Sequence, residues 1–233
     1  LTELISHLND VLTEHLVEIV AAGHRIDLKR GCWLAFGSEG RSEQTVATDQ
    51  DNGIVFASDD AERDRPAWLA FAREVNEALD ACGYPLCKGK VMASNPECCL
   101  TGDEWARRFA NWIEHGAPED LLSASIYFDY RPLAGHAELL QPLDAAVRAG
   151  QPLPPRFIKQ LAQNALRMRV PLNWRGAIDA RSSDGRRLID LKMNGTAIFV
   201  DAARLFALAQ GVAATGTRER CIEAAQAMNV PAR

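Results

Sequence analysis

The sequence predicts an α+β fold, with a mixed β-sheet domain flanked by helices over residues 1–145 and a helical bundle domain over residues 146–233. Three observations support this division. Short apolar runs typical of strands alternate with longer segments of helical periodicity in the first part. The stretch "GQPLPP" (150–155) has the composition of a linker. After this stretch the periodicity is helical.

The first domain begins with an amphipathic helix over residues 1–22. Its predicted apolar face consists of Leu4, Leu8, Val11, Leu12, Leu16, Ile19 and Val20. Gly23 is the predicted end of this helix, because glycine readily adopts the left-handed conformation that closes helices. The apolar runs at 32–36 and 53–57 then predict two buried strands.

The remaining elements are predicted from the same two patterns, helical periodicity and short apolar runs. Residues 66–82 and 103–115 place apolar side chains on one helical face. Residues 84–93 predict a third strand, and "SASIYFDY" (123–130) predicts a fourth, because Ile, Tyr and Phe favour extended structure. In the second domain, "RSSDGRR" (181–187) is predicted to be a polar loop, and the predicted helices span residues 156–169, 196–210 and 217–228.

The composition limits the classes of function that this chain is expected to have. The formal net charge of -5 argues against a broad nucleic-acid surface, which needs a basic face, but allows a small basic pocket for a nucleotide. No run of about 18 apolar residues is present, so no transmembrane helix is expected. The six cysteines lack the spacing of zinc ligands and are expected to be small buried hydrophobes in a reducing cytoplasm. Because the chain begins with leucine, we expect it to be part of a longer protein.

The stretch "AFGSEGRSEQTVATDQDN" (35–52) contains the side chains with the clearest chemistry. Gly37 allows the backbone to approach a phosphate closely, and the Ser38 hydroxyl and backbone N–H groups can donate to its oxygens. The Arg41 guanidinium offers a fixed positive fork for a phosphate. The alternative is that the Gly-Ser pair only forms a loop.

Asp49 and Asp51 follow at i and i+2, so their carboxylates share a face if they begin a strand. Two such carboxylates repel each other unless a cation lies between them. Mg²⁺, or Mn²⁺ in its place, is the ion expected to bind these carboxylates together with substrate phosphates. On spacing alone, the two aspartates are equally well explained as turn formers ahead of a strand.

This motif resembles the signature of the DNA polymerase β-like nucleotidyltransferase superfamily, in which Gly-Ser precedes Asp-x-Asp on a strand. It is more closely similar to the branch that contains protein-PII uridylyltransferase and glutamine synthetase adenylyltransferase. Within that branch it looks like a bacterial nucleotidyltransferase family that is often fused behind CBS-pair and cyclic-nucleotide-binding domains. Three later blocks are similar to the same family: "KGKVMASNPECCLTGDEW", "YFDYRPLAGHAELL" and "LIDLKMNGTAIFVDAARLFAL". One departure is Gln50, where the wider superfamily usually has an apolar residue.

The resemblance implies further site residues. Asp129, in "IYFDYRPL", is similar to the third carboxylate of the superfamily, which helps to hold the metal ions. A salt bridge to Arg131 is the equally weighted alternative. Lys88 and Lys90 are candidates for binding the triphosphate, or else lie on a solvated strand edge. Lys192 is a candidate for the inner wall of the cleft, or else belongs to a buried ion pair at the start of a helix.

The sequence therefore predicts a cytoplasmic, Mg²⁺-dependent nucleotidyltransferase that transfers a nucleoside monophosphate from an NTP to an acceptor hydroxyl. The resemblance implies an acceptor on a protein, as for protein-PII uridylyltransferase, a role in bacterial signalling, and further regulatory domains ahead of this chain. No membrane or nucleic-acid partner is expected. A nucleotide-sensing regulatory module without turnover is the alternative, and a protein-interaction scaffold is a third possibility.

Overall fold

The computed structural model describes residues 1–46, 48–117, 121, 125–148, 153–167, 172–178, 181–183 and 186–230. The chain divides into two compact units, Leu1–Trp112 with Ala124–Ala149 and Ile113–Ser123 with Gly150–Arg233. The first unit combines a four-stranded mixed sheet with helices, and the second unit is mainly helical. The predicted α+β class is therefore confirmed. None of the described helices combines the length and the apolar character that crossing a membrane requires.

The first unit contains most of the regular structure. Its helices are α1 (Thr2–His24), α2 (Gly37–Gly40), α3 (Ala61–Ala81), α4 (Gly102–His115) and α5 (Gln141–Arg148). Its strands are β1 (Gly31–Ala35), β2 (Asn52–Phe56), β3 (Cys99–Thr101) and β4 (Arg131–Gly135). Short 3-10 turns form at Leu28–Arg30, Pro96–Cys98, Ser125–Phe128 and Ala137–Leu140. The last residues of α4 belong to the second unit.

In its described residues, the second unit contains three further helices and a hairpin. The helices are α6 (Pro155–Ala165), α7 (Ala197–Gln210) and α8 (Thr217–Ala227), and a π-helical turn at Lys192–Thr196 precedes α7. The hairpin pairs β5 (Arg181–Ser183) with β6 (Arg186–Leu188) in antiparallel fashion, so the prediction of a polar loop at 181–187 is wrong. The sequence has Asp-Gly between these strands, a pair that favours two-residue hairpin connections, and the loop prediction overlooked this signal.

The sheet of the first unit has the strand order β3–β2–β1–β4. Strand β1 is antiparallel to both of its neighbours, and β3 is parallel to β2. At the end of β1, Ala35 pairs with Asn52 on one side and with Arg131 on the other. The residues that precede β2 and β4 therefore flank the turn that follows β1.

The sheet is covered on both faces. Every residue of β1 and β2 is buried, as expected for strands with packing on both sides. One core joins the sheet to α1 and α3 and includes Val17, Trp33, Ile54, Phe56, Trp68, Phe71 and Val75. A cluster of aromatic rings joins the end of β1 to α4 and the 3-10 turn at 125–128; its members are Phe36, Trp105, Phe109, Trp112, Tyr127, Phe128 and Tyr130.

The apolar face predicted for α1 is largely exposed. Leu4 and Leu8 are 58% and 60% exposed. The buried residues of the helix are Ser6, Asn9, Thr13, Val17, Val20 and Ala21, of which only Val20 belongs to the predicted face. The N-terminal half packs on polar groups, since Asn9 Nδ2 donates to Gln44 Oε1 (2.9 Å). The periodicity of the apolar residues therefore predicts a helix correctly, but of the predicted face only Val20 is buried in the core and Leu16 packs against it.

Two predicted strands have other conformations. Residues 84–93 form an irregular segment in which Lys90 has a left-handed φ of 58°, and the third strand is instead the short β3. The described part of the predicted fourth strand (123–130) contains a 3-10 turn, and β4 begins at Arg131. In this turn Phe128 packs against Phe109 and Tyr127 packs against Trp112, so tertiary contacts override their preference for extended structure.

Two helix ends also differ from the prediction. Helix α1 continues past Gly23, and Arg25 adopts the left-handed conformation with φ 56° that closes the helix. Helix α3 begins at Ala61, ahead of the predicted start at residue 66. Its first turn is capped by Asp60, whose carboxylate accepts from the Arg63 N–H at 3.2 Å.

Paired alanine substitutions test the orientation of α1. We expect Leu8→Ala to leave the free energy of unfolding almost unchanged, because this side chain is already 60% exposed. Val17→Ala should lower it by roughly 1.5–3 kcal/mol, because Val17 is fully buried in the core. Urea unfolding followed by circular dichroism measures both values. Equal losses in the two variants would contradict this orientation.

Candidate functional site

The candidate site forms where β1 ends. The Phe36 N–H donates to the Asp51 carbonyl at 2.8 Å. The chain then turns through α2, in which Gly37 has a left-handed φ of 56°. A Cβ on Gly37 would lie 3.2 Å from Asp51 Oδ2 and 2.9 Å from the Ile126 side chain. Glycine is therefore required here both by the backbone conformation and by the closeness of the Asp51 carboxylate.

The same turn contacts the segment that precedes β4. A Cβ on Gly40 would lie 1.7 Å from the Asp129 carbonyl oxygen, so no side chain fits at this position. Arg41 Nη1 donates to Asp129 Oδ2 at 2.5 Å, and Arg41 Nε donates to Glu43 Oε2 at 2.8 Å. The Asp129 side chain is completely buried. The predicted phosphate-binding arginine and the predicted third carboxylate thus form an ion pair.

Asp129 has a different setting from the one that the sequence predicts. It lies in the link between the 3-10 turn at Ser125–Phe128 and β4, not in the middle of a strand. Arg131, the alternative partner from the sequence, donates its Nη2 to both carboxylate oxygens of Asp10 at 2.7 and 2.8 Å. It also donates to the Glu39 carbonyl at 3.1 Å. Helix α1 therefore contributes a charged residue to this end of the sheet.

Asp49 and Asp51 lie directly before β2, in a segment whose burial alternates. Asp49 is exposed and Asp51 is half-buried, whereas Gln50 and Asn52 are buried. In extended backbone this alternation directs the two carboxylates to one face and the two amides to the other. The N–H groups of Gln50 and Asn52 both donate to carbonyls of the segment 85–91, at 3.1 Å each. This arrangement fits the expectation that the carboxylates share a face.

The aspartate pair is chemically suited to Mg²⁺. Mg²⁺ prefers oxygen ligands and commonly takes one or two protein carboxylates together with substrate phosphates. Within the described ranges, no group of three or more His, Cys, Asp or Glu side chains is arranged to hold a metal ion. Asp51 Oδ1 accepts from the Cys87 thiol at 3.2 Å. The residues present therefore fit an ion held by Asp49 and Asp51 and completed by a substrate.

The irregular segment 84–93 carries two of the predicted basic residues to the neighbourhood of the site. Lys88 and Lys90 are exposed and flank Gly89. Cys87, the residue before Lys88, is the one that contacts Asp51, so the segment is attached to the candidate metal site. The segment is not a strand, but both lysines are exposed as the alternative of a solvated edge expects, and their role in binding the triphosphate stays a prediction.

The other predicted nucleotide-binding residues belong to both units. Ser38 is half-buried in α2, beside Gly37. Lys192 is exposed in the π-helical turn of the second unit. The roles of Gly37, Ser38, Arg41 and Lys192 in nucleotide binding stay predictions.

Glu39 is a buried carboxyl group of the motif that sequence reasoning did not single out. Its side chain is 6% exposed. Burial raises the pKa of Glu39 to about 8, with further increases from the neighbouring carboxylates of Asp10 and Asp51 and an opposing effect of Arg131. Glu39 is therefore mostly protonated at neutral pH and adds no charge beside the aspartates.

Sequence reasoning also missed Asp10, Asn76 and Cys87. Asn76 lies between Val75 and Leu79 on the buried side of α3 and is itself buried. A polar residue on an apolar helical face is a signal that could have identified it, because a buried amide needs hydrogen-bond partners. Asp10 and Cys87 carried no comparable signal in the sequence.

Glu39→Gln tests the protonation of this buried group. Because the folded pKa of about 8 lies above the ordinary value of 4.5, the folded state holds a proton that the unfolded chain releases. The stabilisation from Glu39 is complete below the ordinary value and is lost as the pH rises through about 8. The wild-type protein should thus lose stability with rising pH relative to Glu39→Gln, which cannot ionise.

Urea unfolding at about pH 5.5, 7 and 8.5 measures this difference for the two proteins. Because the other titratable groups are common to both, the difference between the two curves isolates Glu39. A difference that does not change with pH would contradict the raised pKa.

Comparison with protein families identifies the family of the chain. Residues 1–119 match the family described as "Putative nucleotidyltransferase DUF294". Residues 155–233 match "Putative nucleotidyltransferase substrate binding domain". The first match contains the turn after β1 and the Asp49–Asp51 pair, and Asp129 lies between the two matched regions. No curated protein matches the chain. The chain belongs to the DUF294 family of nucleotidyltransferases.

Proposed function

We propose that this protein is a Mg²⁺-dependent enzyme that moves a nucleoside monophosphate from an NTP to an acceptor hydroxyl and releases pyrophosphate. Family membership supports nucleotidyl transfer. The observation that carries the proposal is the register of β1, whose last residue, Ala35, pairs with both Asn52 and Arg131. This register sets the turn at Gly37–Gly40 between the segments of Asp51 and Asp129. Donors for phosphate oxygens and carboxylates for a metal ion are thereby collected at one end of the sheet.

In this proposal the turn after β1 and its arginine bind the phosphates. The left-handed Gly37 and the bare Cα of Gly40 let the turn pack directly against the Asp51 carboxylate and the Asp129 carbonyl. The half-buried Ser38 between these glycines is the proposed donor to a phosphate oxygen. The ion pairs of Arg41 with Asp129 and Glu43 hold its guanidinium at the turn, where it can also donate to a phosphate oxygen. The exposed lysines of the segment 84–93 neutralise the remaining phosphate charge.

The chemical step is an in-line displacement at the α-phosphorus. Asp49 and Asp51 would hold Mg²⁺, which neutralises charge on the phosphate oxygens when it is bound. The acceptor oxygen forms a new bond to the α-phosphorus while the bond to the bridging oxygen of pyrophosphate breaks. Asp129 is the proposed acceptor of the hydroxyl proton. Most of the catalytic effect then comes from positioning and from charge neutralisation.

The acceptor is proposed to be a hydroxyl group of a protein side chain. Two observations support this choice: the motif resembles that of protein-PII uridylyltransferase, and residues 155–233 match a domain described as substrate binding. The unit that contains α6, α7 and α8 is the proposed part that holds the acceptor. A role in bacterial signalling, in the cytoplasm and under the control of further domains, belongs to the same proposal.

A nucleotide-sensing module without turnover is the second candidate, and one observation favours it. The buried Asp129 is bound to Arg41, and the part of the chain that the structure describes contains no arrangement of three metal-ligating side chains. If this ion pair persists when an NTP is bound, Asp129 cannot complete a two-metal site. The nucleotide would then bind and report its presence without being consumed.

Nucleotide binding is tested by thermal stability. We expect one of the four NTPs to raise the melting temperature in the presence of Mg²⁺ or Mn²⁺, because a ligand that binds only the folded state stabilises it. Differential scanning fluorimetry with each NTP, with and without the metal, measures this shift. If no NTP changes the melting temperature, both the enzyme and the sensor are contradicted and an interaction scaffold is favoured.

Pyrophosphate release separates the enzyme from the sensor. We expect Asp49→Asn and Asp51→Asn each to lower kcat by about 100-fold or more, because each removes one negative charge from the metal site. Asp103→Asn, at an exposed aspartate in the first turn of α4, is the matched control and should leave kcat unchanged. A wild-type protein that binds an NTP but releases no pyrophosphate would support the sensor instead.

A further inference from the structure

We propose that Asn76 of α3 is a positioning residue for the nucleotidyl transfer site, an inference that rests on the proposed function. Asn76 lies at the centre of an amide cluster formed by Gln50, Asn52 and Asn76, whose side chains are 2%, 1% and 1% exposed. Gln50 separates Asp49 from Asp51, and Asn52 follows Asp51. The amide cluster is therefore attached to the backbone that presents both carboxylates.

Asn76 is hydrogen-bonded to both other members of the amide cluster. Its Nδ2 donates to Gln50 Oε1 at 2.8 Å and to Asn52 Oδ1 at 2.9 Å. In return, Gln50 Nε2 donates to the Asn76 carbonyl at 2.9 Å. These bonds link α3 to the inward face of the aspartate segment, so the two carboxylates are held on the outward face.

The amide cluster also holds the irregular segment 84–94 at both ends. At the first end, Gln50 Nε2 donates to the Tyr84 carbonyl at 2.7 Å. At the second end, the Ala93 N–H donates to Asn52 Oδ1 at 2.8 Å and the Ser94 N–H donates to Asn76 Oδ1 at 3.1 Å. The residues between these ends include Cys87, whose thiol contacts Asp51, and the two exposed lysines.

This geometry connects a residue of α3 to both halves of the proposed site. The aspartate segment would carry the metal, and the segment 84–94 would carry positive charge to the triphosphate. Neither segment is fixed by its own regular structure, since Asp49 and Asp51 precede β2 and residues 84–93 are irregular. The amide cluster takes the place of that regular structure, and Asn76 is the member that lies outside both segments and bonds to each of them.

The polar character of the amide cluster has a physical reason. Apolar side chains of similar size would fill the same space. Hydrogen bonds to amides are directional, so they fix the distance and orientation of the two segments more closely than apolar contacts do. We therefore expect loss of Asn76 to change the geometry of the site in addition to the stability of the fold.

The test compares Asn76→Ala with Val75→Ala. Val75 is the preceding residue of α3, fully buried in the apolar core, and its truncation should lower the melting temperature without altering the amide cluster. Asn76→Ala should in addition lower kcat or raise the Mg²⁺ concentration needed for half-maximal pyrophosphate release by about 10–100-fold, as is usual for groups that orient metal ligands. If both variants lose stability but have the same kcat and Mg²⁺ requirement, Asn76 is only a structural residue and the inference is wrong.

Gln50→Met is a second variant, which approximately conserves volume, in case Asn76→Ala does not fold. It removes Gln50 Oε1, which accepts from Asn76 Nδ2, and Gln50 Nε2, which donates to the Asn76 carbonyl. It should therefore raise the Mg²⁺ requirement in the same way. The effects of Asn76→Ala and Gln50→Met on kcat should be clearly less than multiplicative when combined, because they act on one cluster. Multiplicative effects would show that the two residues act independently and would overturn the inference.

Alkylation of Cys87 provides a measurement that does not depend on enzymatic activity. Cys87 is 8% exposed, whereas Cys82 and Cys221 are exposed and serve as internal standards. With iodoacetamide and peptide mass spectrometry, Cys87 should be labelled faster in Asn76→Ala than in the wild type and Val75→Ala, because the segment 84–94 loses its bond at Ser94 and the support of Gln50 and Asn52. Equal labelling in the two variants would overturn the inference.

The two readouts distinguish this inference from the proposed function. A wild-type protein that neither binds nor consumes any NTP contradicts the proposed function, and the positioning role for nucleotidyl transfer is lost with it. Faster labelling of Cys87 in Asn76→Ala would still show that the amide cluster holds the segment. Active wild-type protein together with unchanged Mg²⁺ dependence in Asn76→Ala contradicts the inference alone.

Discussion

The antiparallel pairing of β1 with both β2 and β4 is the constraint on which the candidate site depends. Because Ala35 has a partner in each neighbouring strand, Asn52 and Arg131 are held on either side of it although they are distant in sequence. The turn that follows β1 must then pass so close to the Asp129 carbonyl that only glycine fits at position 40. The candidate phosphate-binding turn and the candidate acids are thus positioned by the hydrogen bonds of a sheet, which is a rigid support for a site.

Polar packing around this end of the sheet determines much of the remaining structure. Helix α1 turns Asn9 inward to Gln44, and α3 contributes Asn76, although apolar residues are available on the same helices. A buried amide left without a partner would cost about 1–3 kcal/mol, so these groups are stable only in the arrangement that satisfies them. In consequence Leu4 and Leu8, which the helical pattern assigns to the core, remain at the surface of the described structure.

The short-range chemistry of the site is predictable from the sequence, and its long-range partners are not. Glycine at a tight turn and two aspartates at i and i+2 indicate phosphate and metal binding from neighbouring residues alone. The pairing of Arg41 with Asp129 spans 88 positions, and no spacing rule indicates it. The same holds for Glu39, because its raised pKa comes from burial and from Asp10, a residue of another helix.

The sequence by itself determined the α+β class, the existence of most helices, the strands β1 and β2, and the resemblance to nucleotidyltransferases. These features follow from local periodicity, turn chemistry and a contiguous motif. Only the tertiary structure decided which face of α1 is buried, that residues 84–93 are irregular, and that the aromatic residues at 125–128 form a 3-10 turn. Burial and hydrogen-bond partners are set by residues far away along the chain, and these contacts outweigh the small intrinsic preference of each residue for helix or strand.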